Sequence, residues 1–263
     1  MDLNTLQECL SGLPLGSLSY FDSLGSTNVQ AMHWIEAGAP HLSLVVANEQ
    51  TAGRGRQGRR WHTRPGGALA FSLVLRADML GAYSTSSRLT GLGALAVCDA
   101  LHEEYALPAK IKWPNDVLVG GRKLAGVLVE ASWQGEEFKS AVVGIGINIA
   151  LDSVPPDGEL EFPATSVEAA LGNPIDRWML LRAVLEAFIT WLPHWESAKF
   201  LQSWDEHLAY RHDWVQLIRG GREPVVGRLL GLGEDGSLQL ALPSGKVVAF
   251  PTGDVSLRIV DRS

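Results

Sequence analysis

The chain has 263 residues, of which 46% are apolar and 19% charged, and its formal net charge is -7. That length holds a sizeable core, enough for one large domain and a small one, and the acidic balance excludes a broad nucleic-acid surface. Two cysteines, Cys9 and Cys98, supply no disulfide frame, and neither a leader nor a bilayer-length apolar run is seen, so a reduced, cytoplasmic protein without export signal or membrane segment is expected.

After a short amphipathic start, residues 18–21 read as a strand and residues 29–37 as a helix that Gly38 and Pro40 end. Ser26, Thr27 and Asn28 stand at that helix's N-terminus. Their polar groups either cap unpaired N–H groups or meet a polar ligand there. Residues 42–47 form a buried-strand run that delivers Glu49 and Gln50 to the mouth of a basic stretch. Between Gly53 and Arg64 that stretch holds Arg54, Arg56, Arg59, Arg60 and Arg64 and no acid. Gly53, Gly55 and Gly58 open the φ > 0 region, which predicts a mobile loop poor at holding a helix or strand. Guanidinium forks on such a loop suit closure over a carboxylate or phosphate, because each grips an anion through two parallel charge-assisted bonds. A small anionic ligand beneath the loop is one reading; a solvated loop is the other. The glycines also match a dinucleotide fingerprint, but no apolar helix follows them. One basic cluster in an acidic chain leaves only a small footprint for nucleic acid.

Residues 68–75 read as a strand, and Ser84, Thr85, Ser86 and Ser87 lead a long apolar helix to about Tyr105, rich enough in Gly and Ala to pack closely on a sheet. Residues 117–119 and 124–129 read as strands joined through Gly120 and Gly121, a tight-hairpin signal. Lys112 precedes Trp113 and Pro114, so it is held at a stiff corner and partly desolvated by apolar neighbours; a solvated lysine is the alternative. Along residues 141–149 alternation puts Val143, Ile145, Ile147 and Ile149 on one face and Gly144, Gly146 and Asn148 on the other. The second face is bare until it presents one amide, as close approach of a flat ligand requires; a bulge or a helix packed on the glycines is equally compatible. An acidic, proline-rich loop over residues 155–163 precedes helical stretches at 166–171 and 175–192, with Trp178, Trp191, Trp195 and Trp204 expected in the core. From Asp213 four or five short strands, at 214–218, 225–232, 237–242, 246–250 and 255–260, are punctuated by turn residues at Gly220 and Gly221, 234–237 and 243–245. A small β-barrel fits, dividing the chain into residues 1–211 and 212–263.

Residues 26–28, the stretch 49–61, residues 112–116 (Lys-Trp-Pro-Asn-Asp) with 122–126 (Arg-Lys-Leu-Ala-Gly), and residues 144–148 (Gly-Ile-Gly-Ile-Asn) stand in the order that biotin protein ligases show. The chain resembles that family over essentially its whole length. The resemblance implies an α+β fold, with a mixed-sheet catalytic domain of the biotin/lipoate ligase type and an SH3-like C-terminal barrel. It implies an enzyme that joins biotin to ATP with Mg²⁺, releases pyrophosphate, and passes biotin from biotinyl-5′-AMP to a lysine of a biotin carboxyl carrier protein domain. Two anions must meet in that first step. Unit charges 4 Å apart repel by about 1 kcal/mol in water and roughly 4 at an effective dielectric near 20, so cationic groups are required. By resemblance, Lys112, Arg54 and Arg56 carry the chemistry. Ser26, Thr27, Asn28 and Gln50 hold the ureido ring, and Gly53, Gly55, Gly144 and Gly146 allow close backbone approach. Arg59, Trp61, Asn115 and Asn148 fall to ATP. For Asp116 an orienting role toward Lys112, help with Mg²⁺ and a plain turn residue all remain open. Many bacterial members begin with a DNA-binding domain of about sixty residues. This chain reaches Ser26 too early to hold one, so no DNA partner and no repressor activity are expected. The resemblance allows a homodimer. A lipoate or octanoate ligase and a non-catalytic biotin sensor are the alternatives.

Overall fold

A strand of alternating character needs a different neighbour on each face, and the chain supplies one layer to each side of a central sheet. The computed structural model describes residues 3–80, 86–154, 162–219, 222–251 and 255–260. In chain order these hold α1 (Leu3–Cys9), β1 (Leu18–Phe21), α2 (Thr27–Glu36), β2 (Ser43–Ala47), β3 (Ala68–Arg76), α3 (Ser86–Tyr105), β4 (Lys110–Lys112) and β5 (Asp116–Val119). There follow β6 (Arg122–Gln134), β7 (Glu137–Asn148), α4 (Val167–Leu171), α5 (Arg177–Trp191) and α6 (Ala198–Glu206). The last elements are β8 (Trp214–Arg219), β9 (Arg222–Leu232), β10 (Leu238–Ala241), β11 (Val247–Phe250) and β12 (Val255–Ile259).

Among the described residues the strands make two sheets. The first runs β1-β2-β3-β7-β6-β5-β4, with β1 and β2 parallel and its other neighbours antiparallel; the second, β11-β10-β9-β8-β12, is antiparallel. This is the expected mixed-sheet α+β architecture with a separate small β unit. Val143, Ile145 and Ile147 of β7 enter the main core with α3 and α5, as alternation predicts. Gly93 of α3 lets the helix settle on Val127 and Val143, and Gly91 meets the Trp204 ring, where a Cβ would stand 2.6 Å away. On the opposite face Ala31 of α2 packs on Val45, Val74 and Val142. That face, half covered by α2, carries the cavity described below.

Gly120 (φ 57°) and Gly121 (φ 74°) form the predicted two-residue hairpin. The short strand β4 and helix α6 are absent from the sequence reading. Two lysines disguise β4, in which Ile111 and also Lys112 are buried. Helix α6 buries only Phe200 and Trp204, and Ser197 caps it by accepting from Phe200 N–H at 3.1 Å. Trp178, Trp195 and Trp204 lie in the core, while Trp191 is partly buried at its margin. The proposed cap at Ser84 and Thr85, residues 155–161 of the acidic loop, and the turn at Gly220 and Gly221 fall outside the described residues. Within the described residues, no helix is long and apolar enough to cross a membrane.

The second sheet docks through its β9–β10 turn. Trp113 Nε1 donates to the Gly236 carbonyl at 3.2 Å and Ser87 Oγ to that of Asp235 at 3.3 Å, so the corner that carries Lys112 is braced by the C-terminal unit.

Candidate active site

Register in the central sheet lays a floor of small residues. Ala70, Gly146 and Gly126 align across β3, β7 and β6, and Ser72, Gly144 and Leu128 form the next row. Above the floor is a cavity of about 340 Å³. Each residue that the resemblance assigns to the site lines it except Gly53.

Asn28 covers Gly144: a Cβ there would stand 1.9 Å from Asn28 Oδ1. For Gly144, then, helix packing is the reading that holds. At Gly146 the covering group is the Trp61 indole, 2.4 Å from a built Cβ, and its Nε1 is buried without a hydrogen-bond partner among the described residues. Asn28 is committed on every side. Its Nδ2 donates to Glu130 Oε2 at 2.8 Å and to the Leu128 carbonyl at 3.3 Å, and its Oδ1 accepts from Ser72 Oγ at 2.7 Å. Ser72 Oγ also lies 2.8 Å from Thr27 Oγ1, and Gln50 Oε1 accepts from Thr27 N–H at 2.8 Å and Thr27 Oγ1 at 3.1 Å. Ser26 holds the N-cap position of α2 but makes no side-chain capping bond. Plain capping therefore does not account for residues 26–28.

The basic stretch is a small hairpin, not a structureless loop: Gly55 N–H donates to Arg59 and Trp61 N–H to Gly53, with a bridge between Arg54 and Arg60. Positive φ falls at Gln57 (59°) and Gly58 (70°), whereas Gly55 is extended at −123°. Gly53 corrects two expectations together. Its missing Cβ makes room for the Trp61 carbonyl, which a side chain would approach to 2.3 Å, and it does not line the cavity. Arg54 Nη1 pairs with Glu130 Oε1 at 2.9 Å, Arg56 Nη1 donates to Asn115 Oδ1 at 3.1 Å, and Arg59 bonds Gln57 within the hairpin. Asn115 is itself fixed by donating to the Val127 carbonyl at 3.1 Å.

Lys112 is buried, not solvated, with its ammonium 3.7 Å from the centre of the Phe162 ring and 3.7 Å from Asp116 Oδ2. Burial pushes its pKa below the usual lysine value; Asp116 opposes that shift, and Lys123 adds to it. Asp116 also pairs with Lys123 at 2.5 Å. Its carboxylate is thus shared by two lysines, and no cluster of three metal-ligating side chains occurs among the described residues. Asn148 Nδ2 donates to the Thr165 carbonyl at 3.0 Å.

Sequence reasoning missed Ser72, Lys123, Glu130 and Arg258. Ser72 and Glu130 have a visible signal, a polar residue interrupting an apolar strand. Lys123 stands in the Arg-Lys-Leu-Ala-Gly stretch that carried part of the resemblance. Arg258 comes from β12 of the second sheet, a placement that no local pattern discloses.

The mixed sheet, the polar pocket and the basic hairpin over it match one class of protein, the biotin/lipoate ligases. The Biotin/lipoate A/B protein ligase family matches residues 20–148, and the Biotin protein ligase C terminal domain matches residues 215–258. A Biotin--[acetyl-CoA-carboxylase] ligase of Paracoccus denitrificans is 34% identical over 244 residues, covering 88% of this chain and 96% of that one. The Bifunctional ligase/repressor BirA of Bacillus subtilis is 39% identical over 171 residues, 65% of this chain; the match spans 52% of that relative, about half its length. The solved structure of the Aquifex aeolicus biotin protein ligase in complex with biotin and ATP superposes with a TM-score of 0.79 at 29% identity, covering 93% of this chain and 99% of that one. The chain belongs to the biotin protein ligase family.

Proposed function

We propose that the chain activates biotin with ATP to biotinyl-5′-AMP and transfers the biotinyl group to a lysine of a biotin carboxyl carrier protein domain. Residues 1–211 form the catalytic unit and residues 212–263 an accessory one that braces it. The observation that carries this reading is the buried Lys112, set beneath an arginine hairpin and beside a hydrogen-bonded polar wall. Support also comes from the Aquifex relative, whose solved complex holds biotin and ATP.

In this reading the wall of Ser26, Thr27 and Gln50 receives the ureido ring, and the fixed Asn28 shapes the pocket around it. Asn148, whose Nδ2 is held by Thr165, turns its oxygen to the adenine amine. Trp61 packs against the base. Lys112 and Arg56 face the carboxylate and the α-phosphate, and Asp116, paired with both Lys112 and Lys123, holds the two ammonium groups near each other. These cations offset the repulsion between two anions and stabilise charge on the phosphorane oxygens. The attack of the biotin carboxylate forms the carboxyl–phosphate bond, and pyrophosphate leaves. Mg²⁺ enters as part of the magnesium–nucleotide substrate, since Asp116 is committed to two lysines. The acceptor amine then attacks the mixed anhydride and AMP departs. Closure of the hairpin shields that anhydride from water in the interval.

The test is transfer of labelled biotin from biotin and MgATP to a purified carrier domain, with lipoate as competitor and a control without ATP. ATP-dependent transfer that lipoate does not suppress is the expected result. Biotin binding without transfer would favour a sensor, and transfer of lipoate would overturn the pocket assignment.

A further inference from the structure

Glu130 is a carboxylate beside a cavity that, on the ligase reading, must take two anions. Its presence there calls for a cause. Alternation along β6 places it on the cavity face with Gly126 and Leu128, and its two oxygens serve different regions of the molecule. Oε2 accepts from Asn28 in the pocket wall at 2.8 Å, and Oε1 pairs with Arg54 of the hairpin at 2.9 Å. The wall side of this chain is rigid, because Asn28 is also held by Leu128 and Ser72 and lies against Gly144. The hairpin side is the more exposed one: half of the Arg54 side chain is exposed, against 23% of that of Glu130. Arg56 differs from Arg54, for it bonds Asn115 on the turn that follows Lys112.

We propose that Glu130 is a positioning residue that ties the hairpin to the pocket wall, and that Arg54 is the hairpin's tether, leaving the reacting anions to Lys112 and Arg56. The proposal rests on the ligase reading for the identity of the ligand but not for the tether itself. Arg54 neutralises the Glu130 carboxylate, so the site keeps its positive balance while one residue links the wall's order to the hairpin's position.

Limited trypsin digestion of the ligand-free protein reads the tether directly, because Arg59 and Arg60 in the hairpin are cleavage sites. Cutting there is expected to quicken roughly three- to fivefold in Glu130→Gln and in Arg54→Gln, the scale of a half-exposed ion pair. The double variant should cut no faster than either single, because both changes remove one contact. Arg54→Lys, which keeps a cation for Glu130, should restore most of the protection. Biotin affinity measured by calorimetry should fall by the same order in both single variants. Wild-type cleavage rates in Glu130→Gln or Arg54→Gln, or effects that multiply in the double variant, would overturn the tether. Arg54 is half exposed, so its variants carry the comparison without disturbing the core. Because trypsin acts on the ligand-free chain, the tether stands or falls apart from the ligase reading, which the transfer assay decides.

Discussion

Thr27, Asn28 and Ser72 are buried, with the Ser72 hydroxyl against both of the others, whereas Arg54, Arg59 and Arg60 of the hairpin stand largely in solvent. The wall is assembled by a helix and three strands that the fold orders anyway, so its polar groups need no further ordering when a ligand arrives. The hairpin's long side chains must lose rotamer freedom on binding, at about 0.5–1.5 kcal/mol each. Recognition of a neutral polar head suits the first arrangement and neutralisation of mobile phosphates the second. Lys112 combines the two, a cation held in a buried, braced position. The largest predicted effect therefore falls on it. Lys112→Ala should slow biotinyl-AMP formation in single turnover by about a hundredfold or more, the scale of removing one preorganised group that stabilises developing charge. Biotin affinity should change far less; an unchanged adenylation rate would show that the hairpin alone supplies the charge.

Two alanines placed in neighbouring rows of the floor separate wall from hairpin. A Cβ at residue 144 meets Asn28 Oδ1 at 1.9 Å and Cγ at 2.7 Å, and Asn28 has no free direction in which to retreat. At residue 146 the Cβ meets the Trp61 ring at 2.4 Å, but that ring hangs from the hairpin. Gly144→Ala should thus lose about 1–3 kcal/mol of stability, the usual cost of overpacking, and weaken biotin binding by displacing Asn28, with Gly146→Ala affecting biotin less and ATP more. Equal losses of biotin affinity by calorimetry would mean that wall and hairpin yield alike.

The same contrast governs what the sequence disclosed. Alternation at Val143, Ile145 and Ile147 and the Gly120 and Gly121 turn are local, and both appear as read. Lys112 is local in another sense: its apolar neighbours Trp113 and Pro114 announce burial. Glu130 and Ser72 show in the sequence only as polar residues interrupting apolar strands; what they do comes from Asn28, 102 and 44 residues away along the chain. Gly53 shows the limit inside the motif itself. A glycine rule based on φ > 0 does not foresee a Cβ excluded by the carbonyl of Trp61, eight residues on in the same hairpin. Arg258 reaches the cavity only through the docking of a second sheet.

Ser72→Ala probes the wall alone. It deprives the buried Asn28 Oδ1 of its hydroxyl donor and Thr27 of a neighbour, and an unsatisfied buried acceptor costs about 1–3 kcal/mol. The expected readout is a lower denaturant midpoint at unchanged slope, together with weaker biotin binding and unaltered trypsin cutting in the hairpin. Faster cutting would show that wall and hairpin are coupled through Ser72 as well as through Glu130.

The smallest effect is one of pH, and it pits the stability of the fold against the proposed role of Lys112. Burial lowers the pKa of Lys112, so between its folded value and the unfolded value near 10.5 the unfolded chain binds more protons than the folded one at this site. Below the folded pKa both forms are charged and the full burial cost is present. As pH rises through the folded value toward the unfolded one, that cost is relieved and this group's contribution to stability increases. On the proposed mechanism adenylation runs the other way, because it needs the ammonium. Across one pH window, then, kcat/KM should fall while the stability difference between wild type and Lys112→Met moves in favour of wild type. Taking that difference removes the opposing titration of Tyr20, Tyr105 and Tyr210, whose burial raises their pKa values and whose contribution is lost on the same alkaline limb. Activity and the stability difference falling together would mean that the group titrating on the alkaline side is not Lys112.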